Sequence, residues 1–259
     1  MVRTARPRPG DDRRRLSQNF LTDPSAARRV VRLAGVDPDG LVLEVGPGDG
    51  ALTRFLAPAA GRLTAYEIDP RLADRLARRH PEVRVVCADF TRVRPPREPF
   101  SVVGNIPYSR TSDIVRWCLA APALTGATLI TQWEYAAKRT GGHGRWSRLT
   151  VLTWPTWSWE RAGRIPRHRF HPVPRVDAGV LLLRRRPVPL LDPADAGDHR
   201  ALVELGFSGL GGSLRASLRR AHPARRVDRA LAAARVPGDT AVGFVSPDQW
   251  MTVFHHLHR

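Results

Sequence analysis

The ten residues Leu41-Val42-Leu43-Glu44-Val45-Gly46-Pro47-Gly48-Asp49-Gly50 decide the fold. The first five are a short, nearly continuous apolar run, the pattern of a strand buried on both faces of a parallel sheet. The glycines that follow permit a tight turn and let the backbone come close to a ligand. Residues 50–58 then have helical spacing, and the alternation repeats. Leu63–Ile68 reads as a second strand, residues 70–79 as a basic helix and Val83–Cys87 as a third strand. Ser101–Asn105 reads as a fourth strand, residues 111–120 as a helix and 127–132 as a fifth strand. Upstream, residues 25–34 read as a helix. Strands alternating with helices predict an α/β fold on a parallel sheet.

Residues 150–184 depart from this rhythm. Trp154, Trp157 and Trp159 fall close together, and Ala178–Leu183 is another apolar run. Two late strands closing the sheet account for both and bring it to seven. The tryptophans read as core rather than as a base-stacking platform, because large aromatic rings chiefly serve packing. Pro187 and Pro189 break the chain. Helical periodicity then covers 198–207, 213–221, 224–234 and 247–257, a small C-terminal helical domain. The predicted organisation is a disordered basic arm over 1–15, an α/β domain over 16–186 and a helical domain over 187–259. The arm holds Arg3, Arg6, Arg8, Arg13, Arg14 and Arg15, with too little apolar surface to order itself. It reads equally as a phosphate-touching arm and as a tail without a role.

Lys and Arg number 42 against 24 Asp and Glu, a formal net charge of +18. Such an excess points to a polyanionic partner, nucleic acid foremost. A solvated basic surface in an Arg-rich protein is the alternative. Cys87 and Cys118 have neither metal-ligand nor disulfide spacing. Both are expected as buried free thiols in a reducing compartment, and no metal is expected. No run reaches the roughly 18 apolar residues of a membrane span. The N-terminal stretch also lacks the apolar core of a signal peptide. The expectation is a soluble, cytoplasmic, monomeric protein.

A glycine turn alone is an ordinary turn, a dinucleotide site or another nucleoside site. Two acids narrow it. Glu67 ends the second strand, where a carboxylate accepts bonds from both ribose hydroxyls. Asp89 follows the third strand, placed to accept a bond from an adenine amine. The spacing fits dinucleotides and S-adenosylmethionine alike.

Gly104-Asn105-Ile106-Pro107-Tyr108 follows the fourth strand. As local structure it is a strand-ending turn, which Asn and Pro favour. Its chemistry says more. The N6 amine of adenine is a poor nucleophile because its lone pair is delocalised into the ring. Acceptors for both N6 hydrogens let the nitrogen turn tetrahedral and aim that lone pair at a methyl group. The Asn105 side-chain oxygen and the Ile106 carbonyl are two such acceptors. Pro107 fixes φ and removes a competing donor. Tyr108 offers a ring for the base to stack on, worth about 1–3 kcal/mol. An adenine reached in this way must be extruded from its stack.

The Asn-Ile-Pro-Tyr turn is similar to the Asp/Asn-Pro-Pro-aromatic motif of amino-group methyltransferases. Ser17-Gln18-Asn19-Phe20-Leu21 resembles the segment that opens the ribosomal RNA adenine dimethyltransferases. Phe170-His171-Pro172-Val173-Pro174-Arg175-Val176-Asp177 resembles their late motif. The resemblance implies a Rossmann-like class I methyltransferase sheet of seven strands, a small helical C-terminal domain and S-adenosylmethionine as cofactor. It implies that Asn19 and Leu21 border the cofactor, with Gly46 and Gly48 at its methionine side. Glu67 would meet the ribose and Asp89 the adenine, with Ile68 and Phe90 also among the cofactor-binding residues. Asn105 would contact both cofactor and target amine, and Phe170 would pack on the target adenine opposite Tyr108, the alternative being a core phenylalanine before a proline-rich turn.

That family has two branches: a housekeeping enzyme for small-subunit (16S) rRNA, and the Erm enzymes. The latter modify a 23S rRNA adenine in the macrolide site and confer macrolide–lincosamide–streptogramin B resistance. Ser17, Gly104-Asn105-Ile106, Thr111-Ser112-Asp113-Ile114-Val115 and Asp177-Ala178-Gly179 resemble Erm more closely. The implied activity is mono- or dimethylation of N6 of an adenine in 23S rRNA, the implied partner. One departure is Arg110-Thr111-Ser112, where the family often has an aliphatic residue before a Ser-Thr pair. A non-catalytic rRNA-binding assembly factor is the alternative of another class, since charge alone suffices to bind phosphates. A DNA adenine methyltransferase fits less well, because no separate DNA-reading domain is apparent.

Overall fold

A computed structural model describes residues 19–209 and 212–258. The arm over 1–15, and Ser17 and Gln18 of the opening motif, lie outside the described residues. Among the described residues the strands are Phe20–Leu21 (β1), Leu41–Val45 (β2), Arg62–Glu67 (β3), Arg84–Cys87 (β4), Phe100–Asn105 (β5), Leu124–Gln132 (β6), Trp157–Ile165 (β7), Phe170–His171 (β8) and Ala178–Arg185 (β9).

Seven of them form one sheet in the order β4-β3-β2-β5-β6-β9-β7, the Rossmann-like class I arrangement the sequence predicts. β2 is the deciding run, with the bounds expected, and four of its five residues are buried. It pairs in parallel with β3 on one side and β5 on the other. The chain thus leaves β2 in two directions, and ligands of open α/β sheets bind outside the carboxyl ends of strands at such a switch point. The register makes those ends coincide. Val45 lies opposite Tyr66 and Gly104, and Glu67 opposite Cys87. Gly46, Glu67 and Asn105 therefore emerge side by side.

The helices begin where the sequence supplies caps. Asp23 and Asp69 accept the Ser25 and Arg71 amides, each followed by proline at the first helical position. Gly35, at φ 58°, ends the helix Pro24–Ala34 in the left-handed conformation. The predicted helix over 50–58 is shorter, Thr53–Leu56, because the turn after the glycines takes its first residues.

The chain divides into two compact units. One runs up to Trp133 and includes Ala162–Leu182; the other comprises Glu134–Arg161 and the chain from Leu183 onward. In the first, Val30, Val42, Leu56, Val103, Ile130 and Val180 are among the residues of one continuous core. In the second, Trp250, Val203, Leu218, Val227, Val253 and Phe254 centre a core shared by the helices Ala196–Gly206, Leu214–Leu218, Ala224–Ala233 and Pro247–His258. Trp157 and Trp159 are buried, as the packing argument expects.

Cys118 is buried, but Cys87 is exposed, contrary to expectation. Its strand β4 lies at the edge of the sheet, so its terminal residue keeps one side to solvent. No helix among the described residues is long and apolar enough to cross a membrane.

Candidate active site

A cavity lies at the carboxyl ends of β2, β3, β4 and β5. From the glycine turn it is lined by Gly46 and Gly48, and beyond β3 and β4 by Glu67, Ile68, Asp89 and Phe90. Asn105, Ile106, Pro107 and Tyr108 line it after β5, and Asn19 borders it from the N-terminal segment. Residues spread over 90 positions of sequence meet there because the parallel register brings the strand ends together.

Leu21 and Phe170 are placed differently. They are not among the lining residues; both are core residues, Phe170 only 2% exposed. β1 and β8 pair antiparallel, with Leu21 opposite Phe170 and Phe20 opposite His171. Thr22 donates its amide (2.8 Å) and hydroxyl (2.9 Å) to the Arg169 carbonyl, and Arg169 pairs with Asp23 at 2.6 Å. Asp177 ties down the other end of the late motif, accepting from Arg164 Nε at 2.6 Å and the Arg167 amide at 2.8 Å. This clasp is the wall that holds Asn19 and Phe20 at the cavity. Two-residue strands leave no periodicity in a sequence, so the pairing was not legible there.

The glycine turn needs its glycines. Gly48 has φ 56°, and a Cβ there would stand 2.7 Å from a ring carbon of Phe20. Its amide donates to Glu67 Oε2 at 3.0 Å, and the Asp69 amide donates to Oε1 at 3.0 Å. Burial pushes the Glu67 carboxyl up from its ordinary value, against the pull of the Asp69, Gly48 and Ile68 amides. Glu44 lies deeper. It accepts from the Thr53 hydroxyl at 2.7 Å, while its Oε1 has no hydrogen-bond partner among the described residues. Burial pushes its carboxyl up to about 8. As the lone charge in an apolar strand, Glu44 was visible in the sequence as an anomaly.

Asp89 is held ionised. Burial raises its carboxyl, but the Thr91 hydroxyl (2.7 Å) and amide (3.0 Å), with Arg110 and Arg92, outweigh this and lower it. Phe90 is buried between Tyr66, edge-on at 5.7 Å, and Trp117 at 4.3 Å. Ile68, by contrast, is 45% exposed. It adds an apolar side chain to the cavity lining.

The Asn105 side chain donates Nδ2 to the Asn19 carbonyl at 2.7 Å. That bond settles which end of the amide is the donor and leaves Oδ1 as acceptor. Ile106 anchors the turn with a buried side chain, and its amide donates to the Ile130 carbonyl at 3.3 Å. Tyr66, Thr91 and Arg110 also line the cavity, and sequence reasoning missed them. Their part depends on reach across the cavity, which spacing does not encode. No group of metal-ligating side chains occurs among the described residues.

Comparison with known proteins places the chain among relatives of known fold and description. An rRNA adenine N-6-methyltransferase of Streptomyces fradiae is 56% identical over 250 residues, spanning 95% of this chain and 78% of that protein. The mycinamicin-resistance protein MyrB of Micromonospora griseorubida is 37% identical over 248 residues, 95% of this chain and 79% of that one. The crystal structure of the 23S rRNA methyltransferase ErmE superposes with a TM-score of 0.91 at 50% identity, covering 93% of this chain and 100% of ErmE's. Matched from residue 11 to residue 259 by the model for ribosomal RNA adenine dimethylase, the chain belongs to that family.

Proposed function

We propose that this rRNA adenine methyltransferase transfers a methyl group from S-adenosylmethionine to N6 of one adenine of 23S rRNA in the macrolide-binding region, giving macrolide–lincosamide–streptogramin B resistance. The observation that carries the chemistry is the Asn105 amide, whose Nδ2 donates to the Asn19 carbonyl and whose Oδ1 is thereby the end left to accept, which supports its role towards a target amine. The half-identical ErmE fold and the MyrB likeness support 23S rRNA as the substrate and resistance as the outcome.

The residues present fit the cofactor. Gly46 and Gly48 bring bare backbone to the cavity wall, Glu67 and Asp89 line it with carboxylate acceptors, and the exposed Ile68 adds an apolar surface. Glu67 would hold the ribose hydroxyls, Asp89 and Phe90 the adenine, and Gly46 and Gly48 the methionine side. When bound, S-adenosylmethionine supplies a methyl group activated on a sulfonium for in-line transfer. Asn105 Oδ1 and the Ile106 carbonyl accept the two N6 hydrogens, and Tyr108 stacks on the extruded base. Most of the protein's contribution is thus alignment. Leu21 and Phe170 act in this reading by holding the wall against which Asn19 sits. The same reading makes the enzyme a cytoplasmic monomer.

Mass spectrometry of 23S rRNA from macrolide-challenged cells with and without the gene tests it. An N6-methylated adenine in the macrolide region, present only with the gene, is the expected result. Unchanged 23S rRNA with new methylation of 16S rRNA would assign the chain to the housekeeping branch. No methylation of either, with rRNA still bound, would make it an assembly factor.

A further inference from the structure

Arg110 ends the short turn Tyr108–Arg110, directly after the residues that face the target base. Arg110 lines the cavity, as Asp89 does, and its guanidinium meets that carboxylate. Nη2 donates to Thr91 Oγ1 at 2.7 Å and to Asp89 Oδ2 at 3.3 Å, and Nε lies 3.5 Å from Asp113 Oδ2. Thr91 in turn spends both its amide and its hydroxyl on Asp89 Oδ1. The two carboxylate oxygens therefore differ. Oδ1 is saturated, whereas Oδ2 carries one long bond to Arg110, with Arg92 Nε 4.0 Å away. Oδ2 is the oxygen open to a ligand, and a planar guanidinium fixes its direction more tightly than an aliphatic side chain at this position.

We propose that Arg110 is a positioning residue for the cofactor, acting through Asp89: it locks the carboxylate, with Thr91, so that Oδ2 meets the exocyclic amine of the cofactor's adenine. Nothing in the Asn-Ile-Pro-Tyr motif requires an arginine there. The inference rests on the cofactor reading above. The Arg110 side chain is 44% exposed, yet it is held on Asp89 and Thr91.

Titration calorimetry with S-adenosylhomocysteine tests it, on the full chain as wild type, R110M, D89N and the double variant. Loss of one charge-assisted bond that preorganises the site predicts about a fivefold to tenfold weaker affinity for R110M. In the D89N background the same substitution should change affinity less than twofold. The KM for S-adenosylmethionine should rise by the same factor, with kcat at saturating cofactor within about twofold of wild type. R110Q replaces R110M if the latter does not fold. An R110M affinity within twofold of wild type, or an equal loss in both backgrounds, overturns the proposal. A wild type that does not bind S-adenosylhomocysteine overturns the cofactor reading itself, and this proposal with it.

Discussion

Replacing Gly48 by alanine should disable the cofactor cradle without unfolding the domain. At φ 56° an alanine pays about 1–2 kcal/mol for left-handed backbone. Its Cβ would also stand 2.7 and 2.8 Å from two ring carbons of Phe20, closer than non-bonded carbons pack. The Phe20 backbone is held, because β1 is paired with β8 and Thr22 is bonded to the Arg169 carbonyl, so relief has to come from its ring or from the glycine turn. Such overpacking adds about 1–3 kcal/mol. The cost is therefore about 2–5 kcal/mol, concentrated on the loop that meets the cofactor. The free turn relieves that cost by leaving its cofactor-ready geometry, and restoring the geometry on binding makes even the lower end a roughly 30-fold weaker affinity for S-adenosylhomocysteine by calorimetry. Gly35→Ala is the matched control: its φ is 58°, but a Cβ there meets nothing within 4 Å. It should cost about 1–2 kcal/mol in urea unfolding and leave cofactor affinity unchanged. A Gly48→Ala protein that binds within twofold of wild type, or a Gly35→Ala protein that loses affinity equally, would refute the reasoning.

Glu67, raised by burial, should serve the ribose best as a carboxylate. Cofactor affinity is then expected to fall as pH drops through its elevated value, and Glu67→Gln should remove that dependence and weaken binding about tenfold. His199 is buried against Phe254, and burial, with the charges of His255 and Arg200, lowers it to about 4. The unfolded chain takes up its proton near 6.5, so stability is complete above that pH and is lost as pH falls towards 4. Urea titrations between pH 7 and 4.5 should show a shallower acid loss for His199→Leu. Tyr108→Ala should reduce kcat/KM for rRNA by the roughly 1–3 kcal/mol of a lost stack, whereas Tyr108→Phe should retain most of it.

The parallel core was legible because a strand buried on both faces writes itself as an apolar run. Leu41–Val45 has the bounds read from sequence, and the C-terminal helices Ala224–Ala233 and Pro247–His258 differ from theirs by a residue or two. The helices Trp133–Arg139 and Arg148–Thr153 escaped, since short segments with several polar residues carry little periodicity. At the site, the glycine turn, Glu67, Asp89 and the Asn105–Tyr108 turn were readable because each follows a strand. What joins them was not. The Asn105–Asn19 bond spans 86 residues and the Arg110–Asp89 bond 21, and such distances are set by sheet register rather than local pattern. Phe170 illustrates the limit. The family resemblance implies a stacking face, whereas the residue in its own setting reads as a core phenylalanine before a proline-rich turn, and it is buried beside the β1–β8 pairing.

The most direct test of the central claim is methyl transfer in vitro. Purified protein, isotopically labelled S-adenosylmethionine and protein-free 23S and 16S rRNA are incubated together, and the label is mapped by mass spectrometry. The account predicts label on N6 of one adenine in the macrolide region of 23S rRNA. It predicts that Asn105→Ala lowers the rate by about 100-fold or more while rRNA binding survives, as for removal of a group that stabilises the transition state. Label confined to 16S rRNA, or an Asn105→Ala protein that methylates at the wild-type rate, would contradict it.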